Sequence, residues 1–328
     1  MFTTPAVAGE HLYVGSCSGR FIAFLAATGA EAWTYDTAQD GAAAQFHGDA
    51  LVTDDAVFVG TDGPPVGWVY AFERATGKVR WKRSFARGVS AQVLGRGDLV
   101  YAVGGAGEVA AMDVRTGAVA WHFAGEEPAE DSWARHDPAL TEDLLLVPWP
   151  DGVVVALDTR SGAERWRAAL GSQVTTSVAP VGESAWIGTI DGKLRKLDAR
   201  SGAVLTVAEA GGRSYGDLQN GGGCLLVLAL GQQHSLACHD PSSGAVRWRR
   251  PVETEISTFR PLIEGEAVVA GDENRRLFAV ALADGQARWQ CAVGGVPRGL
   301  SAGEQRLYVG MLSGTIIALP AGGCQDDG

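Results

Sequence analysis

The sequence lacks the features of a nucleic-acid-binding or membrane-spanning protein. Its 328 residues include 27 lysines and arginines against 38 aspartates and glutamates, which leaves a net charge of −11. Nucleic-acid binding needs a basic surface that neutralises phosphates, so we expect no nucleic-acid partner. No apolar run reaches about 18 residues, the length that a membrane-spanning helix requires, so no membrane span is expected.

Cysteine is also scarce. The five cysteines are scattered and form no Cys-x-x-Cys pair: Cys17, Cys224, Cys238, Cys291 and Cys324. An odd, dispersed set predicts neither a disulfide framework nor a metal site. Cys224 and Cys238 could meet in one hairpin, but buried free thiols that pack as small apolar groups are the favoured interpretation.

The first residues, MFTTPAVAGE, contain no export signal, which would place basic residues before an apolar stretch. We therefore expect a cytoplasmic location for the sequence as it stands. The alternative is the periplasm or another part of the cell envelope, if a segment upstream of Met1 is missing.

An internal repeat runs through the whole chain. An apolar strand, a short turn, a second strand, Thr/Ser-Gly and a tryptophan recur, as in YAFERATGKVRW (70–81) and VALDTRSGAERW (155–166). With the first and the shortened last copy there are eight, and the turn glycines from Gly29 to Gly285 are 40 to 48 residues apart. Four short strands at this spacing are typical of a propeller blade.

We therefore predict an all-β fold, an eight-bladed β-propeller of four-stranded antiparallel blades. The last blade should be three-stranded, because PAGGCQDDG (320–328) lacks an apolar strand and a tryptophan. Residues 1–328 are expected to form one domain, and the protein is expected to be a monomer. The expected blades cover residues 1–37, 42–86, 88–125, 132–170, 172–210, 212–252, 253–294 and 295–323.

The repeated residues have structural explanations. Glycine in Thr/Ser-Gly can adopt the positive φ that a tight turn needs. An aspartate four residues before that glycine can accept hydrogen bonds from the turn amides. It is found at Asp113, Asp158, Asp198 and Asp240. The tryptophan supplies a large flat surface for packing between neighbouring blades.

The repeated motif, Ala-Leu-Asp-x-x-Thr/Ser-Gly-x-x-x-Trp, resembles the pyrroloquinoline-quinone-type β-propeller repeat over essentially the whole chain. That family includes quinone-dependent dehydrogenases, sensor propellers attached to kinases and a non-catalytic outer-membrane assembly lipoprotein, which this chain resembles most in character. A dehydrogenase of the family is expected to show calcium ligands and often paired cysteines. No Cys-Cys occurs and no ligand motif matches, so we expect no quinone and no other cofactor.

Insertions indicate which face carries function. Compared with the other repeats, extra residues occur in 36–47, 124–137 and 60–70. All three fall on the same face of a propeller, and loop insertions in such folds tend to gather on the binding face. The alternative is neutral variation in loop length, which surface loops tolerate.

The same face should expose the first residues of each inner strand around a central funnel. Charged, aromatic and polar side chains occur there: Gln45, His47, Gln92, Arg135, His136, Asp137, Tyr215, Asp217, Phe259, Arg260 and Arg298. To these we add Trp149 in VPWPDG (147–152), expected to be an exposed indole that anchors a partner. A wide, wet channel without a ligand would explain the polar residues equally well.

Three functions are compatible with this arrangement. We predict a binding or scaffolding module that engages a protein or a small molecule through the funnel face. The first alternative is an enzyme in which His47 or His136 acts as a general base beside Asp137, with Arg260 holding an anion. The second alternative is a ligand-sensing domain of a signalling protein.

Overall fold

A computed structural model describes residues 3–41, 44–63, 65–125, 136–303 and 305–324, which form an eight-bladed β-propeller of antiparallel sheets. The first two blades contain β1 (Ala6–Ala8), β2 (His11–Gly15), β3 (Arg20–Leu25), β4 (Glu31–Asp36), β5 (Leu51–Val52), β6 (Ala56–Gly60), β7 (Val66–Glu73) and β8 (Val79–Ala86). The next two contain β9 (Leu94–Arg96), β10 (Leu99–Val103), β11 (Glu108–Asp113), β12 (Val119–Ala124), β13 (Ala139–Leu140), β14 (Leu144–Pro148), β15 (Val153–Asp158) and β16 (Glu164–Ala169).

Blades five and six contain β17 (Ala179–Val181), β18 (Ser184–Gly188), β19 (Lys193–Asp198), β20 (Val204–Glu209), β21 (Arg213–Gly221), β22 (Cys224–Leu230), β23 (His234–His239) and β24 (Val246–Val252). Blades seven and eight contain β25 (Leu262–Glu264), β26 (Ala267–Gly271), β27 (Arg276–Ala281), β28 (Ala287–Ala292), β29 (Pro297–Ala302), β30 (Arg306–Met311) and β31 (Ile316–Pro320). The predicted fold is thus confirmed, including the three-stranded last blade.

Contacts divide the chain into two compact units. One comprises Met1–Pro128, Thr159–Gly162 and Tyr308–Ile317, and the other Ala129–Asp158, Ala163–Leu307 and Ala318–Gly328. Within each, the second strand of a blade is buried on both faces, as in β6 and β18, whereas fourth strands such as β16 bury only alternate residues. Second strands therefore read as continuous apolar runs, and fourth strands as alternating ones.

From Gly77 to Gly285, each turn glycine closes a contact with a tryptophan of the preceding blade. Gly117 has φ +66°, and a Cβ added there would lie 2.5 Å from Cδ2 of Trp81. The Trp81 indole is buried and donates its Nε1 hydrogen to the Val114 carbonyl at 3.1 Å. Glycine is thus required twice, for its backbone conformation and for the approach of the ring.

Blade five lacks this tryptophan, because Thr206 occupies its position in β20. Trp186, from β18 of the same blade, packs against Gly244 instead and donates its Nε1 hydrogen to the Pro241 carbonyl at 2.8 Å. It is completely buried. An indole from a different strand therefore makes the contact that the missing residue would have made.

The predicted role of the turn aspartates is confirmed at the positions where their contacts are described. Asp113 accepts hydrogen bonds from the Thr116 hydroxyl and from the backbone amides of Thr116 and Arg115. These bonds, the hydroxyl first, lower the pKa of Asp113. Asp198 and Asp240 are held in the same way.

The prediction of free thiols is wrong for four of the five cysteines. The structure pairs Cys224 with Cys238 and Cys291 with Cys324, and it leaves Cys17 as a free cysteine.

Candidate functional site

The two insertions of the first unit lie against each other. Gln45 and Asp62 exchange backbone hydrogen bonds of 3.2 and 2.9 Å, which joins the loop before β5 to the loop after β6. The loops that contain Gln45 and Asp62 are therefore in contact, whereas the expectation that the insertions mark a binding face stays a prediction. Residues 126–135, most of the third insertion, lie outside the described part of the chain, and Arg135 lies there too.

Asp40 fixes the first insertion. It ends a short 3₁₀ helix, Thr37–Asp40, and its carboxylate accepts hydrogen bonds from Tyr35 at 2.6 Å, Tyr70 at 2.7 Å and Lys82 at 2.6 Å. Burial works to raise the pKa of Asp40, but these three donors outweigh it and lower that pKa. Burial and the nearby carboxylate raise the pKa of both tyrosines. The described residues of this insertion therefore form a folded element with its own polar anchor.

His47 is paired with an acid that the sequence did not single out. Its Nδ1 contacts Oδ2 of Asp62, and the two side chains are only 16% and 19% exposed. The carboxylate can orient the imidazole. Gln45 is exposed beside the pair, and Gln92, in the loop before β9, is half-buried.

In the second unit Arg260 joins two carboxylates. Its Nε donates to Oδ2 of Asp217 at 2.7 Å, and its Nη2 donates to Oδ2 of Asp137 at 3.3 Å. The aspartate side chains are 8% and 3% exposed, and that of Arg260 is 27% exposed. Two buried carboxylates need a cation for compensation, so this guanidinium acts first as their counter-ion.

Phe259 lies next to this cluster and is partly exposed to solvent. It is 39% exposed, and the guanidinium of Arg298 lies 5.7 Å from the ring centroid. Arg298 is itself held by Glu273 at 3.0 Å. The Phe259 carbonyl accepts from the Asp217 amide at 2.8 Å. A Cβ added to Gly216, which has φ +68°, would lie 2.4 Å from that carbonyl oxygen. The backbone under the ring is therefore tightly fixed.

Tyr215 and His136 make internal contacts. The Tyr215 hydroxyl donates to the Ile256 carbonyl and accepts from the Ile256 amide, both at 3.1 Å. Burial is the main cause that raises the pKa of Tyr215. His136 Nε2 lies 2.9 Å from the Val174 carbonyl and the residue is 9% exposed. A carbonyl only accepts, so this nitrogen carries a proton and donates it.

The expected exposed anchor at Trp149 is wrong. The residue is 7% exposed, and its amide donates to the Val153 carbonyl at 2.7 Å in the turn between β14 and β15. Flanking prolines suggested a rigid turn, and the structure buries the indole in that turn. Trp149 therefore offers little surface to a partner.

Sequence reasoning missed the residues that act through backbone geometry or as counter-charges. Asp62, Glu273 and Gly216 all lie beside predicted residues but were not identified. Only Asp62 had a signal, its place in the insertion GTDGPPVGWVY. Among the described residues, no group of three or more His, Cys, Asp or Glu could hold a metal ion. No helix in that part of the chain is long and apolar enough to span a membrane.

Comparison with known structures supports the fold. BamB from Moraxella catarrhalis superposes with a TM-score of 0.80 at 20% identity, covering 97% of this chain and 96% of that one. The quinohemoprotein alcohol dehydrogenase from Comamonas testosteroni superposes with a TM-score of 0.76 at 15% identity, covering 98% and 74%. Because BamB and a dehydrogenase match almost equally well, the fold alone does not choose between their functions.

Comparison of sequences distinguishes between these two kinds of protein better than comparison of folds does. The outer membrane protein assembly factor BamB of Moranella endobia is 25% identical over 295 residues, 78% of this chain and 70% of that protein. The BamB of Shewanella oneidensis is 25% identical over 217 residues, 62% and 52%. These relatives assemble outer-membrane proteins, so the expected cytoplasmic location is wrong.

A family model described as outer membrane protein assembly factor BamB matches residues 1–63, 43–182 and 150–317, which together include nearly the whole chain. This match confirms the resemblance to propellers of the pyrroloquinoline-quinone type. It also indicates which family of these propellers the chain resembles. The chain belongs to the BamB family of bacterial β-propellers.

Proposed function

We propose that this protein is a non-catalytic scaffold that holds a protein partner during the assembly of outer-membrane proteins. Its contact surface is the Phe259 platform, which we define as Phe259, Arg260, Arg298, Asp217 and Asp137. The observation that carries this proposal is an exposed aromatic ring on a support that hydrogen bonds and ion pairs hold in place. Membership of the BamB family supports the process that we propose for the scaffold.

The composition of the platform suits a protein partner. Aromatic and arginine side chains dominate the binding energy of protein interfaces, and they do so best on surfaces that are already ordered. Phe259 presents its ring, while the Asp217 amide and the close approach of Gly216 fix the backbone beneath it. Little conformational entropy would be lost there when a partner binds.

The charges favour a protein over a small anion. Arg260 contacts two carboxylates and Arg298 contacts Glu273, so each cation already has a counter-ion within 3.3 Å. An anionic metabolite would have to compete with these carboxylates. A partner that covers Phe259 needs no such exchange, and it gains from removing the ring from water.

The proposal can be tested in the source bacterium by deleting the gene and restoring it in three forms. The wild-type gene and His136→Ala should restore the amount of folded outer-membrane protein, whereas Phe259→Ser should restore much less at equal expression. Unchanged outer-membrane protein in the deletion strain would contradict the assembly role. Full restoration by Phe259→Ser would contradict the assignment of the platform while leaving the assembly role intact.

The contact between His47 and Asp62 favours a second candidate, an enzyme with a site in the first unit. A carboxylate that orients an imidazole is a common arrangement for a general base. Under this alternative His47→Ala, which is distant in sequence from the platform, should abolish function in the same restoration assay. Retained function in His47→Ala would exclude it.

A further inference from the structure

The bridge between Cys291 and Cys324 connects two segments of the second unit that lie 33 residues apart in sequence. Cys291 is on β28, the outer strand of blade seven, and Cys324 follows β31, the last strand of blade eight. Their Cα atoms are 6.1 Å apart, within the span that a disulfide bridges. The bridge therefore encloses the whole of blade eight in a covalent loop.

The neighbourhood of the bridge repeats the contact between tryptophan and turn glycine. Trp289 on β28 is the tryptophan of blade seven, and a Cβ added to Gly323 would lie 2.2 Å from its Cε2. In the other pairs the indole also donates to the carbonyl three residues before the glycine, as Trp248 does to Leu282 at 2.8 Å. Within the described residues Trp289 Nε1 makes no hydrogen bond, and its side chain is only half-buried.

The two cysteines lie at positions that are connected by a different kind of contact in other blades. The residue two positions after the tryptophan reaches the next turn in two other blades, since Arg83 donates to the Gly117 carbonyl at 2.6 Å and Arg250 to the Gly285 carbonyl at 3.5 Å. Cys291 occupies this position after Trp289, and Cys324 directly follows Gly323. A covalent bond thus connects the segments that a side-chain hydrogen bond connects elsewhere.

We propose that the Cys291–Cys324 disulfide is a latch that holds the turn at residues 320–324 on Trp289 and β28, and that reduction releases this turn. In closing, the two thiols lose two protons and two electrons and form one S–S bond. The electrons pass to a disulfide of a small thiol or of a protein, which is reduced to two thiols. Oxidation of these two thiols is therefore the step that fixes the turn at residues 320–324. This inference does not depend on the proposed function.

The test begins with the full chain oxidised by oxidised glutathione and digested without reduction. A peptide pair linked through Cys291 and Cys324 is expected. Hydrogen exchange is then compared between the oxidised protein, the reduced protein and the Cys324→Ser variant. Exchange at the amides of residues 321–324 and in β28 should be at least about fivefold faster in the last two forms, because the covalent bond no longer restrains local opening.

Two controls separate the latch from general effects of thiols. Cys17→Ser removes the free cysteine, and the double variant Cys224→Ser with Cys238→Ser removes the bridge inside one hairpin; both should keep slow exchange at residues 320–324. Because the reduced wild type is measured as well, a variant that folds poorly does not decide the outcome. Absence of the linked peptide, or equal exchange in oxidised and reduced wild type, would overturn the proposal.

Discussion

The Nε atom of Arg260 donates a hydrogen bond to Oδ2 of Asp217 at 2.7 Å, and the same guanidinium contacts Asp137. Replacing Arg260 with Met would remove the cation that both buried carboxylates contact. We expect the free energy of unfolding to fall by about 3 kcal/mol, as for other buried pairs that lose one partner. Urea denaturation at pH 7 measures this change.

A matched control is the ion pair between Arg200 and Glu183, whose side chains are more than three-quarters exposed. Arg200→Met should change the free energy of unfolding by less than about 0.5 kcal/mol, since exposed pairs contribute little. Equal effects of Arg260→Met and Arg200→Met would show that the buried cluster is not a structural support for Phe259.

Gly216 provides a test of the backbone beneath the platform. Alanine there meets two penalties, a φ of +68° and a Cβ 2.4 Å from the Phe259 carbonyl oxygen. Gly265 has a similar φ of +56° with no atom within 4 Å of an added Cβ. We expect Gly265→Ala to destabilise by about 1 kcal/mol and Gly216→Ala by about 3 kcal/mol or more. Equal losses of stability in the two variants would mean that the backbone near Phe259 shifts easily to accommodate the added methyl group.

In blade five, Trp186 makes the contact of the repeat tryptophan that is missing at position 206, and mutation of both positions tests this. Trp186→Ala should reduce the free energy of unfolding by about 4 kcal/mol, because it removes a completely buried indole and its hydrogen bond to Pro241. Adding Thr206→Trp to this variant places an indole at the position used by the other blades. Recovery of more than about 1 kcal/mol is expected, and no recovery would contradict the equivalence of the two positions.

His239 predicts a pH dependence near neutrality. It is completely buried, and burial lowers the pKa of its imidazole below the ordinary value of 6.5. Below pH 6.5 the unfolded chain therefore binds a proton that the folded chain does not, and stability decreases as the pH falls, by up to about 1.4 kcal/mol per pH unit. The carboxylates with lowered pKa, such as Asp240, act only at lower pH, near 4 and below.

Denaturation between pH 7 and 5 isolates this contribution. His239→Asn can keep the hydrogen bond from the Nδ1 position to the Gly244 carbonyl and cannot titrate, so its stability should vary less with pH than that of the wild type. His122→Gln, which removes an imidazole that is about half exposed, is the control variant. An unchanged slope in His239→Asn would contradict the prediction.

The fold was predictable because one motif repeats with its glycines and tryptophans at nearly constant spacing. The exceptions depend on contacts between distant residues. Thr206 shows that a tryptophan is missing, but nothing local indicates that Trp186 replaces it. Cys291 and Cys324 look unrelated until the turn at Gly323 is placed on Trp289.

The candidate site was predictable in its residue types but not in its roles. Composition identified Arg260, Asp137 and Asp217, yet their mutual neutralisation needs coordinates. Trp149 between prolines suggested an exposed indole, and the structure buries it. Whether a side chain near a strand end faces solvent depends on the packing of its neighbours, which a single repeat does not contain.

Photo-crosslinking in living cells tests whether Phe259 contacts a protein partner. A photoreactive phenylalanine analogue is placed at position 259 and, as a control, at Val119, an exposed residue on the outer strand of blade three. We expect a discrete adduct with an outer-membrane assembly protein from position 259 and none from position 119. No adduct from position 259, or the same adduct from both positions, would contradict it.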